Sequence, residues 1–176
     1  MNTKKKEETK LEQLTVSDGR DIYDMLQRIE KNENSFLNDA NGLSYEQYKE
    51  WIVEKDRWSR GEMLPEGYVK QWVYWLKDKN VPVGFGKIRE KLTENSLEWG
   101  GNIGFSIDPL HRGEGYGNII LQLLLDRAYE LGIKKVLSTV KSSNIVSRKV
   151  HEKMGGKLID ERNGIMYFEF SSQSQL

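Results

Sequence analysis

The spacing of apolar residues changes several times along this chain, and each change marks an element. Residues 11–16 read as a short strand; Ile22, Met25, Leu26 and Ile29 then recur at helical spacing behind Ser17 or Asp18, with Ser17 as the expected N-cap. A second helix is predicted from Ser44, Tyr45, Tyr48, Trp51, Ile52 and Trp58. The polar stretch 32–41 between them carries Phe36 and Leu37, and reads either as a binding loop or as a helix connection with two side chains in the core. After a break at 61–67, which includes Pro65, three strand-like runs follow at 71–77, 82–90 and 97–107. Asp78, Lys79 and Asn80 supply a turn between the first two, so the runs form an antiparallel meander. Within the first run, alternation puts Trp72 and Tyr74 on one face and Val73 and Trp75 on the other.

Helical spacing returns with Ile120, Leu123, Leu124, Ala128 and Leu131, and stops at Gly132. A strand at 135–140, a helix at 142–154 halted by Gly155 and Gly156, and a hairpin of 157–160 with 165–170 around Asn163-Gly164 complete the pattern. A meander followed by a β-α-β-α-β-β half implies an α+β domain with a mixed, mostly antiparallel central sheet flanked by helices. That single domain spans 10–170, with a flexible tail at 1–9 and a polar tail at 171–176.

Composition narrows the class. With 176 residues and 37% hydrophobic content, the chain has material for one substantial core. Its 27 basic and 27 acidic residues cancel, so no global field draws it to nucleic acid or to an anionic membrane. The absence of cysteine excludes disulfides, a thiolate zinc site and a cysteine nucleophile. No metal site is expected. The N-terminus lacks the apolar core of a signal peptide and no apolar run nears the roughly 20 residues that span a bilayer, so a soluble cytoplasmic protein is expected.

The most informative chemistry is His111-Arg112-Gly113-Glu114-Gly115-Tyr116-Gly117, directly ahead of an apolar helical run. Glycines at alternate positions let the backbone turn tightly and leave no Cβ in a ligand's way, while the first turn of a helix offers unpaired N–H groups and a favourable dipole for an anion. Arg112 adds a permanent cation. A Walker loop has no match here, and the third glycine comes too early for a dinucleotide fingerprint. A pyrophosphate-bearing ligand of another kind is indicated.

Arg112-x-x-Gly115-x-Gly117 resembles the acetyl-CoA signature of the GNAT superfamily of N-acetyltransferases. A later segment, Asn144-x-x-Ser147-x-x-x-His151-Glu152-Lys153-Met154-Gly155-Gly156, is similar to the family's next motif, and the likeness covers about residues 70–170. Leu64-Pro65-x-Gly67-Tyr68-Val69, Tyr74-Trp75-Leu76, Ile88-Arg89-x-x-Leu92 and Gly100-Gly101-Asn102-Ile103-Gly104-Phe105 resemble a little-characterised bacterial subgroup of predicted acetyltransferases. Asn102 stands where that subgroup often has histidine.

The resemblance implies a GNAT fold and an N-acetyltransferase that uses acetyl-CoA, without a metal, on a primary amine of a small molecule or peptide by direct attack on the thioester. It implies that Arg112, Gly113, Gly115, Tyr116, Gly117 and Asn118 hold the pyrophosphate, mostly through backbone N–H groups. The backbone of Ser106 and Ile107 would pair with the pantetheine arm, and Asn144 and Ser147 would line the channel. His151 occupies the place where many relatives carry a tyrosine that protonates the departing thiolate, and a reference pKa of about 6.5 suits histidine to that role. Helical spacing sets Asn144, Ser147, Arg148 and His151 on one face and turns Val146, Val150 and Met154 toward the core. Glu98 and Glu33 are the candidate carboxylates for the amine's proton. A homodimer is compatible with this reading, and neither nucleic acid nor membrane is an expected partner. The alternative is a non-catalytic acyl-CoA sensor or interaction protein on the same fold.

Overall fold

The computed structural model describes residues 8–98 and 100–172. Residues 1–7 and 173–176 of the expected tails lie outside the described residues; Thr9 already belongs to the first strand and Ser171 ends the last.

Strand β1 (Thr9–Gln13) leads to α1 (Arg20–Arg28), which begins later than Ser17. The reason is local. The Asp18 carboxylate accepts from the Thr15 N–H (2.8 Å) and from Trp75 Nε1 (2.6 Å), folding a turn ahead of the helix, and Gly19 is left as N-cap without a side-chain bond. The polar stretch that follows is a small hairpin, β2 (Asn32–Glu33) and β3 (Phe36–Leu37), turned by Asn34 and Ser35 at φ of 50° and 69°. Helix α2 (Tyr45–Ser59) starts in a capping box: Ser44 Oγ accepts from the Gln47 N–H while Gln47 Oε1 accepts from the Ser44 N–H.

The meander is β4 (Gln71–Asp78), β5 (Val81–Arg89) and β6 (Ile103–Ile107). Lys79 and Asn80, both at positive φ, make the tight turn between β4 and β5. The third strand is shorter than its apolar run, because Glu94–Glu98 coils into α3 behind Thr93, whose Oγ1 accepts from the Ser96 N–H. Gly100 and Gly101, at φ of 118° and 67°, then turn the chain into β6. The second half is α4 (Tyr116–Glu130), β7 (Lys135–Lys141), α5 (Ile145–Lys153), β8 (Lys157–Arg162) and β9 (Ile165–Ser171).

Apart from the β2–β3 hairpin, the described strands form two antiparallel sheets, ordered β1-β4-β5-β6 and β7-β9-β8, joined at one bridge between Gly101 and Ser138. The α+β class with an antiparallel sheet flanked by helices therefore holds, and the seam between β6 and β7 is largely open. Both faces of the first sheet are covered. Tyr74 and Leu76 pack with Ile120, Leu121 and Leu124 of α4, whereas Val73 and Trp75 pack with Met25 and Leu26 of α1 and Tyr48 and Ile52 of α2. Each such side chain, taken fully out of water, contributes roughly 1.5–3 kcal/mol of apolar transfer free energy. Two packed faces leave the seam as the place for a ligand.

Candidate active site

At the Gly101–Ser138 bridge the two sheets are stitched closely. The Asn102 N–H donates to Leu137 O (2.7 Å), Asn102 Oδ1 accepts from the Leu137 N–H (2.9 Å), and the Gly100 N–H donates to Thr139 Oγ1 (2.8 Å). Beyond this vertex the strands part around a cleft of about 630 Å³, walled by β6, the glycine loop, β7, α5 and the β2–β3 hairpin. A second hollow of about 510 Å³ lies along α2 between Lys49 and Met63 and touches none of these elements.

The open edge of β6 is identified by its carbonyls. Ile103 O lies 3.4 Å from Ser138 Oγ and Ile107 O accepts from Arg112 Nε (3.1 Å), so both face the cleft. Gly104 O and Ser106 O face the other way: a Cβ added at Gly86 would lie 3.3 Å from the first, and one at Gly84 would lie 2.8 Å from the second. Antiparallel pairing turns a residue's N–H and C=O to the same side, so the Phe105 amide joins Ile103 and Ile107 on the open edge. This corrects the expectation for Ser106, whose backbone is directed at β5; the Ile107 backbone lies on the open edge.

The glycine loop has the features of an anion cradle. Gly113 and Gly115 take φ of 79° and 90°, and an added Cβ at either would meet nothing within 4 Å. The N–H groups of Gly113, Gly115 and Gly117 have no hydrogen-bond partner among the described residues, and Gly115 caps α4. Tyr116 turns its ring into the core and donates its hydroxyl to Asp78 Oδ2, so only its backbone faces the loop. Asn118 Oδ1, on a residue of the cleft wall, is buried without a partner, which suits a ligand that brings a donor. Arg112 is not a bare cation: Nη1 and Nη2 donate to the two carboxylate oxygens of Glu33 at 2.8 and 2.6 Å. His111 sits in the same wall with Nδ1 3.8 Å from Glu114.

Helix α5 turns Asn144, Ser147 and His151 to the cleft and packs Val150 and Met154 against the core, as helical spacing predicts; of that apolar stripe Val146 alone departs. Val146 is 76% exposed, whereas His151 is 2% exposed and stacked against Phe105 with Phe168 and Phe170 close by. Asn144 Oδ1 caps the helix by accepting from the Ser147 N–H (3.1 Å), and Arg148 is paired outward with Glu152. His151 Nδ1 lies 2.8 Å from Ser147 O and Nε2 lies 2.8 Å from Ser138 Oγ. A carbonyl only accepts, so Nδ1 carries the proton and Nε2 accepts from the serine. Burial, opposed by the Ser147 carbonyl, pushes the His151 pKa down to about 4. The ring is therefore neutral at pH 7, which overturns the expectation of a histidine titrating near 6.5.

Glu98 lies on the exposed face of α3, outside the cleft wall, and its carbonyl accepts from Tyr167 Oη. The carboxylate that does line the cleft, among the described residues, is Glu33. Asn144, Ser147, Ser106, Ile107 and the loop 112–118 are brought together around it, apart from the exposed Glu114 side chain. Ser138 escapes a reading of the sequence, since a lone serine in an alternating strand carries no local signal, and Gly100–Gly101, visible there as part of a motif, gains its place at the vertex only from the fold.

A family model described as an acetyltransferase (GNAT) domain matches residues 9–157. The chain belongs to the GNAT acetyltransferase family. Its cosubstrate is acetyl-CoA, and the open glycine amides, the cleft and the orphaned Asn118 oxygen fit such a ligand. Solved structures share the fold of this GNAT domain. The Campylobacter jejuni N-acetyltransferase PseH in complex with acetyl coenzyme A is similar at 14% identity and a TM-score of 0.64, covering 94% of this chain and 99% of that one. RimL, a ribosomal L7/L12 alpha-N-protein acetyltransferase, in complex with coenzyme A gives 15%, 0.68 and 93% of each chain. Spermidine N-acetyltransferase from Vibrio cholerae, a dodecamer, gives 14%, 0.63 and 94% of each. No curated protein matches the chain in sequence. Among the described residues, no helix is long and apolar enough to cross a membrane.

Proposed function

We propose that this GNAT domain transfers the acetyl group of acetyl-CoA to a primary amine of a small molecule or peptide, by direct attack of the amine on the thioester. The observation that carries the reading is the open amide edge of β6, which leads from the glycine loop at Ile107 to the vertex at Ser138 and His151. Those ends are four residues apart along β6, about 13 Å at ~3.3 Å per residue. In this reading the pyrophosphate rests on the N–H groups of Gly113, Gly115 and Gly117, the pantetheine amides pair along the edge, and the thioester reaches the vertex. An edge N–H of β6 then donates to the carbonyl oxygen as charge develops on it.

A dedicated acid is not needed for this chemistry. The CoA sulfur departs as the thiolate and takes up, through water, the proton that the attacking amine loses. Neutral His151 then acts by positioning, holding the Ser138 hydroxyl and the end of α5 at the vertex. The enclosure of His151 also favours a second reading, an acyl-CoA sensor that does not turn over. Amine-dependent release of free CoA separates the two.

Calorimetric titration with acetyl-CoA tests the cofactor site, with Gly117→Asp as the control. A Cβ at Gly117 would lie 3.5 Å from Val150 Cγ2, an ordinary contact, so the backbone position accepts a side chain and the carboxylate adds a charge at the cradle. Saturable binding lost in the variant supports the reading, and absence of binding in the intact protein overturns it. Spermidine and peptide N-termini, the acceptors of similar structures, form the first amine panel.

A further inference from the structure

Arg89 ends β5, where alternation places Phe85, Lys87 and Arg89 on the face that carries the β2–β3 hairpin and α2. The opposite face belongs to α4: a Cβ at Gly86 would strike Leu124. Arg89 Nη1 donates to Gly101 O at 3.1 Å, and a Cβ at Gly100 would sit 3.3 Å from the same nitrogen. The missing Gly100 side chain thus leaves the guanidinium against the loop that forms the cleft vertex. Gly100 itself lines the cleft, with Arg89 next to it and outside the lining.

No carboxylate pairs with Arg89 among the described residues, although burial lowers its pKa and so makes the charge costly. The buried amines on the same face are treated otherwise. Lys87 Nζ and Lys55 Nζ share Asp39, at 3.2 and 2.7 Å. A guanidinium has five N–H donors, and here one of them is engaged. The donors left over form a planar fork suited to a carboxylate or a phosphate.

We infer that Arg89 binds an anionic group of the acceptor, so that the amine acetylated at this vertex carries a carboxylate or a phosphate beside its amino group. The inference rests on the transferase reading and narrows its acceptor class. Its two elements are separable: the glycine loop serves the donor, and Arg89 serves the acceptor.

The experiment titrates the acetyl-CoA-saturated protein with succinate and, separately, with inorganic phosphate, following the Arg89 side-chain N–H resonances. Arg89→Gln and Arg89→Lys are run beside the native chain. Turnover is measured on matched amines: β-alanine against its amide, and O-phosphoethanolamine against ethanolamine. The expected result is saturable binding of one of the two anions, weakened about tenfold or more in Arg89→Gln and less in Arg89→Lys, with acetyl-CoA affinity unchanged. The responding anion identifies the acceptor's group, and the matching amine should outpace its neutral partner. Binding of neither anion, or equal binding in Arg89→Gln, overturns the inference while leaving acetyl-CoA binding intact. Failure of the native chain to bind acetyl-CoA overturns the transferase reading instead.

Discussion

The Ser138 hydroxyl and His151 Nε2 are 2.8 Å apart at the point where β6 and β7 separate, and both residues are buried. With Nδ1 held by the Ser147 carbonyl, the ring has one tautomer that satisfies every partner. Protonation would put a second proton on Nε2, oppose the bond from Ser138 and place a charge among Phe105, Phe168 and Phe170. The vertex is therefore built around a neutral imidazole.

Stability should consequently depend on pH through His151. Its folded pKa of about 4 lies below the ordinary 6.5, so between those values the unfolded chain binds more protons than the folded one. The contribution is fully present above pH 6.5 and is lost as pH falls toward 4, to a total of roughly 3 kcal/mol. Urea unfolding at pH 7 and pH 4.5 measures it, and His151→Leu should flatten the difference. An equal slope in that variant would assign the acid sensitivity to other groups.

Arg112 and Glu33 should have opposite effects on acetyl-CoA affinity. The carboxylate neutralises the guanidinium that flanks the cradle and ties the β2–β3 hairpin to it. Glu33→Gln frees the cation and should tighten acetyl-CoA binding by a few fold, whereas Arg112→Ala should weaken it by about tenfold. Both effects should shrink at high salt, because the pair is partly exposed. Weaker binding in Glu33→Gln would mean that the carboxylate orients Arg112 for the phosphate.

Much of this architecture is legible in the sequence, and the departures have local causes. Alternation in β4 correctly separates Tyr74 from Val73 and Trp75, but cannot show that both faces are covered. The start of α1 differs from its expected place because Asp18 outcompetes Ser17 by bonding backward to Thr15 and across to Trp75. Leu97 and Glu98 read as strand although Thr93 and Ser96 close a helical turn there. The glycine loop is visible because its chemistry is contiguous. The remainder of the site depends on residues distant in sequence, such as Glu33 with Arg112 and Ser138 with His151, whose pairing only the fold creates.

The capping box of α2 offers a test of local stability away from the cleft. Ser44 and Gln47 satisfy each other's backbone N–H groups, so Ser44→Ala should cost about 1 kcal/mol and leave acetyl-CoA affinity unchanged. Denaturant melts together with calorimetry measure both quantities. A loss of affinity would reveal coupling between α2 and the cleft that the contacts do not provide.

Gly101→Ala should damage both stability and the cleft. Gly101 has φ of 67°, and an added Cβ would lie 2.3 Å from Leu137 O, a backbone atom of the opposing strand. Gly42 is a control for conformation alone, since its φ is 88° but a Cβ there would meet nothing within 4 Å. Gly42→Ala should therefore cost about 1–2 kcal/mol, the ordinary penalty of a left-handed residue with a side chain. Gly101→Ala adds a clash that only separation of β6 from β7 relieves, and should cost about 3 kcal/mol or more. The Asn102 bonds to Leu137 would stretch with it, so the vertex would widen and acetyl-CoA affinity should fall, whereas Gly42→Ala should leave it intact. Equal destabilisation of the two variants, with native affinity in both, would show that the vertex tolerates displacement and does not set the width of the cleft.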